Sequence, residues 1–480
     1  MNLIFDTHWV MMLILLPLFG AVACFLWSRQ AVTLGLITAV SVLLSVIALT
    51  LQVLEQGTLR YAVGGWGAPL GIDLYVDGLS LLMLIVTAVV GVAISVYSSA
   101  YFKPGKAKHY WPLWMFLWAA LNSLFLSADI FNLYVTLELM GLAAVALVAL
   151  SGSASALAAA MRYLLISLLG SLFYLMGVAL LYHAYGTVDI ALLAQQVESS
   201  PAVWAAIGLM VTGLLLKIAL FPLHFWLPAA HSSAPAPVSA LLSALVVKAS
   251  FYILLRLWLD VFPEANLALS YLLGLLGASA IIWGGIQALY QTRLKLLIAY
   301  STVMQIGYLF LAFPLASIIG WKAVFYLLLS HAIAKTAMFM AAGNILFYGG
   351  HDQIADLDRV AQRLPITLTA FGLAGISLMG LPPSGGFIAK WLLLEAIILS
   401  GQWWWAIILI AGGLLTGAYV FKVIGFAFTQ AEVPHEPRMV PKRMEWVTLT
   451  VAVLAIMLGF MAPQLLALMD LGAPFGETMS

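Results

Sequence analysis

Five ionisable side chains lie inside long apolar stretches of this sequence, and their types and spacing indicate proton chemistry. They are Glu138, Lys217, Lys248, Lys335 and Lys390. A lysine at the centre of a membrane helix costs about 2.5–3.5 kcal/mol on insertion scales, so a charge kept at that depth is by default part of a functional site. Amines and carboxylates at such positions are suited to carrying protons or sodium ions.

The energies involved permit such groups to drive transport. Burial disfavours the charged form of an amine, and an adjacent carboxylate favours it. A lysine that moves between a carboxylate partner and an unpaired position therefore changes its proton affinity. A roughly thousandfold change in proton affinity is worth about 4 kcal/mol, and moving one charge through 100 mV requires about 2.3 kcal/mol. Because the two magnitudes are of the same order, breaking one such pair could drive one proton.

Three histidines are candidate relay groups. His331 precedes Lys335 by four residues in LLLSHAIAKTAMF, so the two side chains share one helical face. His224 and His231 flank the proline-rich stretch FPLHFWLPAAHSSAPAP. A lone buried histidine is more often a structural residue held by hydrogen bonds, and that interpretation stays open, above all for His224 and His231.

Three further ionisable residues lie nearer the ends of predicted spans. Arg256 is close to the outer end of its span, and we expect its guanidinium to extend to the membrane surface. Lys422 is nearer the inner end of its span. Glu395 follows Lys390 in KWLLLEAI and is either a local partner of that lysine, which would add it to the relay, or a polar cap near the outer surface.

The composition predicts an all-α membrane protein that crosses the bilayer many times. Of the 480 residues, 64% are hydrophobic and 8% are charged, whereas soluble domains carry about 25% charged residues. A membrane helix needs about 20 apolar residues, and that length gives 14 candidate transmembrane helices. They lie near 9–27, 31–54, 76–98, 110–128, 130–150, 160–183, 203–222, 236–259, 267–289, 295–315, 321–347, 366–397, 404–428 and 446–468. The first lacks a preceding basic segment, so we interpret it as a retained helix and not as a signal peptide.

The distribution of basic residues between the loops predicts the orientation. If both termini lie on the outer side, 12 basic residues fall in inner loops and 2 in outer loops, in agreement with the positive-inside rule. The inner ones are Arg29, Lys103, Lys106, Lys108, Arg162, Arg293, Lys295, Arg359, Arg363, Arg438, Lys442 and Arg443, and the outer ones are Arg60 and Lys322. The glycine-rich segment 59–77 is then an extracytoplasmic hairpin or loop. We expect a multi-pass protein of the cell inner (plasma) membrane.

The seventh and twelfth predicted spans are interrupted by helix-breaking residues. The seventh reads LLLKIALFPLHFWLP and contains Lys217, and the twelfth reads SLMGLPPSGGFIAKWLLLE and contains Lys390. A proline kink would be the simpler explanation of one break, but two breaks, each beside a lysine, point to an ion-binding site. They predict two inverted five-helix repeats. The predicted regions are 1–109 with helices 1–3 and the outer hairpin, 110–260 with the first repeat, 261–430 with the second, and 431–480 with an inner loop and helix 14.

The sequence also argues against several classes of function. The net charge of +1 gives no electrostatic reason to expect a nucleic-acid partner. Cys24 is the only cysteine, which excludes an internal disulfide and a cysteine-ligated zinc or iron–sulfur site in this chain. No GxxxxGK(S/T) phosphate loop is present. We therefore predict no cofactor and no metal, and expect no redox catalysis by this chain alone.

Several long motifs resemble a known family, over nearly the whole chain and most densely over residues 129–395. They are DIFNLYVTLELMGL, FPLHFWLPAAHSSAPAPVSALLSALVVKASFYILLR, LIAYSTVMQIGY, SHAIAKTAMFM and GLPPSGGFIAKW. These motifs are similar to those of the antiporter-like subunits of respiratory complex I, Mrp-type sodium/proton antiporters and membrane-bound hydrogenases. Within that family, the stretch ending in VVKASFYILLR most resembles D-type Mrp subunits and hydrogenase relatives.

The resemblance implies a hydrated axis of charged residues near mid-membrane, with half-channels that open to each side. The implied roles are Glu138 and Lys217 as the coupled ion pair, Lys248 as the central proton carrier, His331 and Lys335 as the onward connection, and Lys390 as the terminal site. Lys390 departs from relatives that carry glutamate at this position.

The leading prediction is a proton- or sodium/proton-translocating subunit whose partners are the lipid bilayer and the other membrane subunits of its complex. One alternative is a self-sufficient secondary carrier for a small solute, which would need a polar pocket shaped for that solute. The other is a structural subunit of a membrane oxidoreductase. H⁺ and Na⁺ both remain open as the ion, and an Mrp antiporter, complex I, a hydrogenase and a carbon-uptake complex remain open as the assembly.

Overall fold

Long α-helices make up most of the chain, whose computed structural model describes residues 8–262, 267–430 and 438–475. The helices up to residue 256 are α1 (Trp9–Leu26), α2 (Ala31–Gln56), α3 (Gly78–Tyr101), α4 (Pro104–Leu126), α5 (Ile130–Ala149), α6 (Ala154–Tyr185), α7 (Ile190–Gln196), α8 (Pro201–Ile218), α9 (Leu227–Ser233), α10 (Ala236–Leu241) and α11 (Val247–Arg256). The later helices are α12 (Leu267–Tyr290), α13 (Leu294–Leu309), α14 (Ala312–Leu315), α15 (Ile318–Gly349), α16 (Val360–Arg363), α17 (Pro365–Met379), α18 (Gly385–Leu399), α19 (Trp404–Phe426), α20 (Lys442–Met457) and α21 (Ala462–Met469).

The described residues contain 11 helices that are long and apolar enough to cross a membrane. The chain is therefore a mostly helical, multi-pass membrane protein. Three predicted spans take a different form. The fourth corresponds to α4, which has 23 residues but begins with the polar sequence PGKAKH. The twelfth is divided between α17 and α18, and the fourteenth between α20 and α21, which meet at an angle of 75°. The count of fourteen stays a prediction.

An antiparallel hairpin follows α2, where the sequence predicts a hairpin or loop. It consists of β1 (Leu59–Ala62) and β2 (Asp73–Val76). Arg60 Nε donates a hydrogen bond to Asp73 Oδ2 at 2.7 Å, and Arg60 Nη2 donates one to Asp189 Oδ2 at 2.5 Å. The first ion pair joins the two strands, and the second fixes the hairpin to Asp189, just before α7. The strand register pairs Leu59 with Val76, Arg60 with Tyr75, Tyr61 with Leu74 and Ala62 with Asp73.

Both ends of the described chain lie on the same side of the molecule as this hairpin. The His8 ring, just before α1, lies 5.2 Å from the ring of Tyr61. Near the other end, the Leu471 carbonyl accepts a hydrogen bond from Gly78 N, just after β2, at 2.9 Å. The termini themselves, in residues 1–7 and 476–480, lie outside the described residues, as do 263–266 near the start of the predicted second repeat and 431–437 at the start of the predicted last region. The side on which the termini lie stays a prediction.

Both predicted helix breaks are present. After α8, Ala219 adopts a left-handed conformation with φ 61°, and after α17, Gly380 adopts one with φ 81°. A left-handed residue is a common way to end a helix. In each break a proline follows three positions later, Pro222 in the first and Pro383 in the second, and proline cannot continue an α-helix.

Three helical segments form the buried centre of the molecule. They are Ala236–Val261, Leu294–Leu315 and Ile318–Gly349, and nearly every residue in them is buried. A helix that is apolar on all sides is buried among other helices. Within the first segment, the π-helical turns Leu242–Val246 and Leu257–Val261 flank α11. Such turns are frequent at functional sites, and these two lie on either side of the helix that carries Lys248.

Candidate functional site

Glu138, in the middle of α5, and Lys217, near the end of α8, form an ion pair inside the protein. Lys217 Nζ lies 3.7 Å from Glu138 Oε2, and the two side chains are 4% and 19% exposed. Lys217 Nζ also donates a hydrogen bond to Ser167 Oγ at 2.9 Å. Ser171 Oγ donates to Glu138 Oε2. Both serines lie on α6, so each member of the pair has a hydroxyl partner of its own.

Two glycines make room for this ion pair. A Cβ atom at Gly141 on α5 would lie 2.8 Å from Ser167 Oγ and 3.6 Å from Lys217 Nζ. A Cβ atom at Gly170 on α6 would lie 2.8 Å from the carbonyl oxygen of Gly213 on α8. Small residues allow membrane helices to approach closely. The close packing of α5, α6 and α8 therefore depends on these positions.

Lys248, on α11, is buried and has a backbone carbonyl as its partner. Its Nζ donates a hydrogen bond to the carbonyl oxygen of Ser243. Ser243 lies in the π-helical turn just before α11. No carboxylate among the described residues forms an ion pair with this amine. The charged form of Lys248 is therefore stabilised by dipoles and not by an opposite charge.

Lys335 and His331 lie one turn apart on α15, and both are buried. Lys335 Nζ donates hydrogen bonds to the Ile298 carbonyl at 3.0 Å and to Ser301 Oγ. Neither ring nitrogen of His331 has a hydrogen-bond partner within the part of the chain that the structure describes. Buried polar groups are nearly always hydrogen-bonded, so the two unpartnered nitrogens make this imidazole a candidate for proton exchange.

Two hydroxyl groups connect the surroundings of Lys248 with those of Lys335. Ser243 Oγ and Thr302 Oγ1 lie 3.0 Å apart. Thr302 Oγ1 also donates to the Ile298 carbonyl at 3.1 Å, which is the carbonyl that accepts a hydrogen bond from Lys335. Because the Ser243 carbonyl holds Lys248, polar contacts run from one amine to the other.

Lys390, on α18, reaches back across the second break to the end of α17. Its Nζ donates hydrogen bonds to the carbonyls of Leu378 at 2.8 Å and Met379 at 3.1 Å. It also lies 4.5 Å from the centroid of the Tyr308 ring. The last carbonyls of a helix lack amide partners and carry partial negative charge, which favours a cation. A Cβ atom at Gly380 would lie 2.6 Å from Lys390 Cδ, so the glycine leaves space for this side chain.

Gln305 and Tyr419 occupy the interval between Lys335 and Lys390. Gln305 Nε2 donates at 3.2 Å to the same α17 carbonyl that holds Lys390. The Tyr419 hydroxyl lies near Gln305 and Ser301 but forms no hydrogen bond within the described part of the chain. Polar groups are thus present between Lys335 and Lys390, without a continuous chain of hydrogen bonds.

A small cavity with several polar groups in its lining lies between Lys217 and α11. It has a volume of about 10 Å³ and is lined by residues that include Tyr163, Ser167 and Ser250. The Ser250 hydroxyl, on α11, has no hydrogen-bond partner among the described residues. A cavity of roughly 10–15 Å³ holds one water molecule if two to four polar groups surround it. This cavity meets that condition.

The other two predicted histidines lie near the first break. His231, on α9, is buried and stacks on Phe339 of α15, with ring centroids 4.9 Å apart. His224 is half-buried and stacks on Phe221, with ring centroids 5.5 Å apart. The structure thus places His231 next to the helix that carries His331, and His224 nearer the surface.

Glu395 is placed apart from the other candidates. It is exposed on α18 and lines a groove with Trp391 on the outside of the helix bundle. No ion pair joins it to Lys390 in the described ranges, because five residues along a helix turn a side chain to another face. The structure does not bring this carboxylate to the lysine row.

The expectation that Arg256 extends to the membrane surface is wrong. The residue is 7% exposed and forms an ion pair with Asp77, the residue that caps α3. Its Nη1 also lies 3.7 Å from Asp260 Oδ2. These carboxylates allow the guanidinium to stay buried. Lys422, nearer the other membrane side, donates hydrogen bonds to the carbonyls of Leu289 and Gln291 at the end of α12.

Lys295, which the sequence places in an inner loop, is the second residue of α13 and is 2% exposed. Its Nζ donates hydrogen bonds to the carbonyls of Ser232, at 3.4 Å, and of Ala234. The carbonyls at the end of α9 therefore keep this amine inside the protein.

Sequence reasoning missed the uncharged polar residues that surround the amines. They are Ser167, Ser171, Ser243, Ser301, Thr302 and Gln305. Hydroxyl residues are scattered through most of the spans, so only the helix packing distinguishes these from the rest. The resulting row contains one carboxylate, four amines and an unpartnered imidazole, joined by hydroxyl, amide and carbonyl groups. Such a row can take up, hold and pass on protons.

Comparison with known proteins supports the resemblance found in the sequence. A family model described as "NADH:quinone oxidoreductase/Mrp antiporter, TM" matches residues 127–416. A second, described as "NADH-Ubiquinone oxidoreductase (complex I), chain 5 N-terminus", matches residues 66–110. The first match covers more than half of the chain and contains the whole row from Glu138 to Lys390.

Individual proteins match over most of the chain. It is 36% identical over 434 residues to "NADH-quinone oxidoreductase subunit N" of Desulforudis audaxviator (strain MP104C), covering 88% of this chain and 86% of the relative. It is 28% identical over 441 residues to the D-type subunit of a Na(+)/H(+) antiporter of Alkalihalophilus pseudofirmus, covering 91% and 89%. A chain of the Mrp complex from Dietzia sp. DQ12-45-1b superposes with a TM-score of 0.90 at 26% identity, covering 99% of this chain and 98% of that chain.

Proposed function

Because the chain belongs to the NADH:quinone oxidoreductase/Mrp antiporter transmembrane family, we propose that it is an ion-translocating subunit of a multi-subunit membrane complex. The ions move along the row formed by Glu138, Lys217, Lys248, His331, Lys335 and Lys390. The energy comes from redox chemistry in another subunit or from a second ion gradient. The observation that carries the proposal is the buried ion pair between Glu138 and Lys217, with its separate hydroxyl partners.

The proton is the ion that fits this row better than sodium. The groups in the row after Lys217 are amines and an imidazole, which bind protons. Hard metal cations prefer oxygen ligands, and a set of positively charged amines would repel them. Sodium transport by the complex would then take place in another subunit.

Translocation begins with a change in the distance between Glu138 and Lys217. When the two groups are 3.7 Å apart, the carboxylate stabilises the ammonium form of the lysine. Separation removes that stabilisation, and the apolar surroundings then favour the neutral amine. The released proton crosses the cavity of about 10 Å³ beside Ser250 and reaches α11, which carries Lys248.

The following steps use the polar contacts between the central helices. The hydroxyls of Ser243 and Thr302 carry the proton over the middle of the path from Lys248 to Lys335, and water carries it at both ends, where the amines contact carbonyl oxygens. His331 accepts and returns protons within the same region. Lys390, at the second break, is the terminal site of the row.

The finer organisation predicted from the sequence is part of this proposal. It comprises fourteen transmembrane helices, with the inverted five-helix repeats at 110–260 and 261–430 and flanking regions at 1–109 and 431–480. The similar conformations of Ala219 and Gly380 at the two breaks support a repeat. Both ends of the described chain lie on the hairpin side of the protein, and the basic loops lie on the opposite side. This arrangement supports termini on the outer side of the inner membrane.

A flux measurement on the whole complex tests the function. The complex with Glu138→Gln is purified and reconstituted in liposomes, and proton flux is followed with a pH-sensitive dye under the driving reaction. We expect the variant to lose at least about tenfold in flux, since the loss of a charge-assisted interaction is worth roughly 1.5–3 kcal/mol. Glu395→Gln, which removes an exposed glutamate elsewhere in the same chain, is the matched control and should keep full flux. Full flux in Glu138→Gln would refute ion transport along this row and favour a structural subunit.

A carrier for an organic solute is less well supported. The cavity beside Lys217 has a volume of only about 10 Å³, whereas ligand pockets measure roughly 300–1,000 Å³. Larger cavities of about 500 and 550 Å³ are present, but neither is lined by a residue of the row. Transport of a solute by the isolated chain would be the result that favours this alternative.

A further inference from the structure

A second site lies on the side of the protein opposite the hairpin. α3 begins beside the hairpin and ends at Tyr101, and the ends of α3, α9 and α15 and the starts of α4 and α13 surround a cavity there. The cavity has a volume of about 550 Å³ and is open to the surroundings. It lies at the level of the helix ends, where the headgroups of membrane lipids are found.

The charged lining of this cavity is entirely basic. Lys103, Lys106, Lys295 and Arg438 line it, and no aspartate or glutamate among the described residues does. None of the three lysines forms an ion pair with a carboxylate within the described ranges. Four like charges around one open cavity create a positive potential that attracts an anion.

The buried lysine of this group keeps a hydrogen-bond donor for a ligand. Lys295 Nζ donates to two backbone carbonyls at the end of α9, whereas an ammonium group has three donors. The nearest carboxylate, that of Asp352, accepts from the backbone amide of Lys295 and from Arg293 Nε at 2.9 Å. That carboxylate is therefore engaged with Arg293, and it forms no ion pair with the Lys295 amine within the described ranges.

The two exposed lysines lie on the opposite wall. Lys106 Nζ donates to the Ser151 carbonyl at 3.1 Å, which uses one of its three donors. Lys103 precedes the first turn of α4, and that helix start has no side-chain cap. The positive end of the helix dipole adds to the positive potential.

The rest of the wall is mostly apolar and includes three serines, Ser151, Ser232 and Ser233. Phe102 and Phe347 line the cavity beside the basic side chains. A small hydrated anion such as inorganic phosphate would gain nothing from these rings. An anion with an attached hydrocarbon part would use both the charges and the apolar wall, as in the basic pockets that bind acidic lipid headgroups on the cytoplasmic side of membranes.

We propose that this cavity binds the phosphate headgroup of an acidic phospholipid. The phosphate lies between Lys295 on one side and Lys103 and Lys106 on the other, and the glycerol and upper acyl chain lie against Phe102 and Phe347. The site is separate from the proton row and stabilises the junction between α3, α4, α9 and α13.

Lipid binding to the intact complex tests this site. The delipidated complex is titrated in detergent with dioleoyl-phosphatidylglycerol or dioleoyl-phosphatidylcholine, and bound lipid is counted by native mass spectrometry. The wild-type complex should prefer phosphatidylglycerol. The double variant Lys103→Gln/Lys106→Gln should lose about tenfold or more in apparent affinity for it, since each basic residue near an anionic lipid contributes roughly fivefold. Both lysines are exposed, so the variant is expected to fold.

The control is Lys108→Gln, which removes an exposed lysine of α4 that does not line the cavity. It should leave the affinity within about twofold of the wild type. An equal loss in this control would overturn the site in favour of general surface charge. Competition by soluble glycerol phosphate at the same concentration as the lipid would overturn the lipid assignment in favour of a free anion. Equal binding of both lipids would also overturn it.

Discussion

The Nζ of Lys217 lies 3.7 Å from Oε2 of Glu138, and each of these groups has a serine of α6 as a second partner. The lysine keeps Ser167 and the glutamate keeps Ser171 if the two charges separate. An unpartnered charge in a buried site is strongly unfavourable, so the serines lower the free energy of the separated state. The pair is therefore arranged to open as well as to close.

A double-mutant cycle on this pair should show a favourable coupling. Lys217→Met and Glu138→Gln each remove one charge. The sum of the two single losses in unfolding free energy should exceed the loss measured for the double variant. We expect a coupling free energy of about 1–3 kcal/mol, below the values for fully buried pairs because Glu138 is 19% exposed. Unfolding titrations of the four proteins in mixed detergent micelles measure it. Additive effects would show that the two side chains do not interact.

The hydroxyl contact between Ser243 and Thr302 should be needed for flux more than for stability. Ser243→Ala removes one of the two oxygens that lie 3.0 Å apart. The change should lower proton flux by about tenfold and stability by no more than about 0.5–1.5 kcal/mol, the typical worth of one hydrogen bond. Ser279→Ala is the control, because it removes a hydroxyl on the exposed face of α12 that bonds, among the described residues, only the backbone carbonyl of Leu275. Normal flux in Ser243→Ala would rule out transfer through this contact.

Gly170 should not tolerate a larger side chain. Gly170→Leu would place atoms within 2.8 Å of the Gly213 carbonyl and 3.3 Å of Lys217 Cγ, which forces α6 away from α8. Overpacking of this kind costs about 1–3 kcal/mol, and it displaces Ser167 and Ser171 from the ion pair. We expect a lower melting temperature and loss of flux. Gly208→Leu on α8, where a Cβ atom meets nothing within 4 Å, should change neither.

The stability of the protein should depend on the ionisation of Asp129, in the connection before α5. Burial raises the pKa of its carboxyl to about 6, from about 3.9 in an unfolded chain. The folded state thus binds this proton more tightly than the unfolded state does. The contribution of the protonated carboxyl to folding stability is fully present below about pH 4 and is lost as the pH rises through about 6.

Asp129→Asn keeps a side-chain oxygen to cap α5 and removes the charge. Above pH 6 the variant should be more stable than the wild type by about 1–3 kcal/mol, and below pH 4 the two should agree. Melting temperatures between pH 4 and 8 in detergent measure the difference. Glu198→Gln, at an exposed carboxyl, is the control and should follow the wild-type curve. An unchanged pH dependence in Asp129→Asn would contradict the assignment.

The ionisable members of the row could be predicted from the sequence because the free energy of burying a charge depends little on the details of packing. Glu138 and Lys217 are recognisable from the sequence because each is a charged residue inside an apolar stretch. The breaks after Ala219 and Gly380 could also be predicted, because proline and glycine act through local backbone geometry.

The partners of these groups could not be predicted, because they come from other helices. Arg256 and Asp77 are 179 residues apart in the chain, and no local pattern connects them. The sequence places Lys295 in a loop because the carbonyls that hold it lie far away in the chain, at the end of α9. Ser243 lies in a π-helical turn, and the apolar sequence around it does not predict such a turn.

The amines of Lys248, Lys335 and Lys390 are held by carbonyls, a hydroxyl and a ring, so a charge on one of them is not neutralised locally. Two like charges about 10 Å apart repel each other by roughly 1.7 kcal/mol at an effective dielectric constant of about 20. In the proposed transport, a proton on one of these three amines therefore disfavours a proton on the next. The arrival of a proton at one end of the row would then promote release at the other end through electrostatic repulsion, without a movement of the backbone.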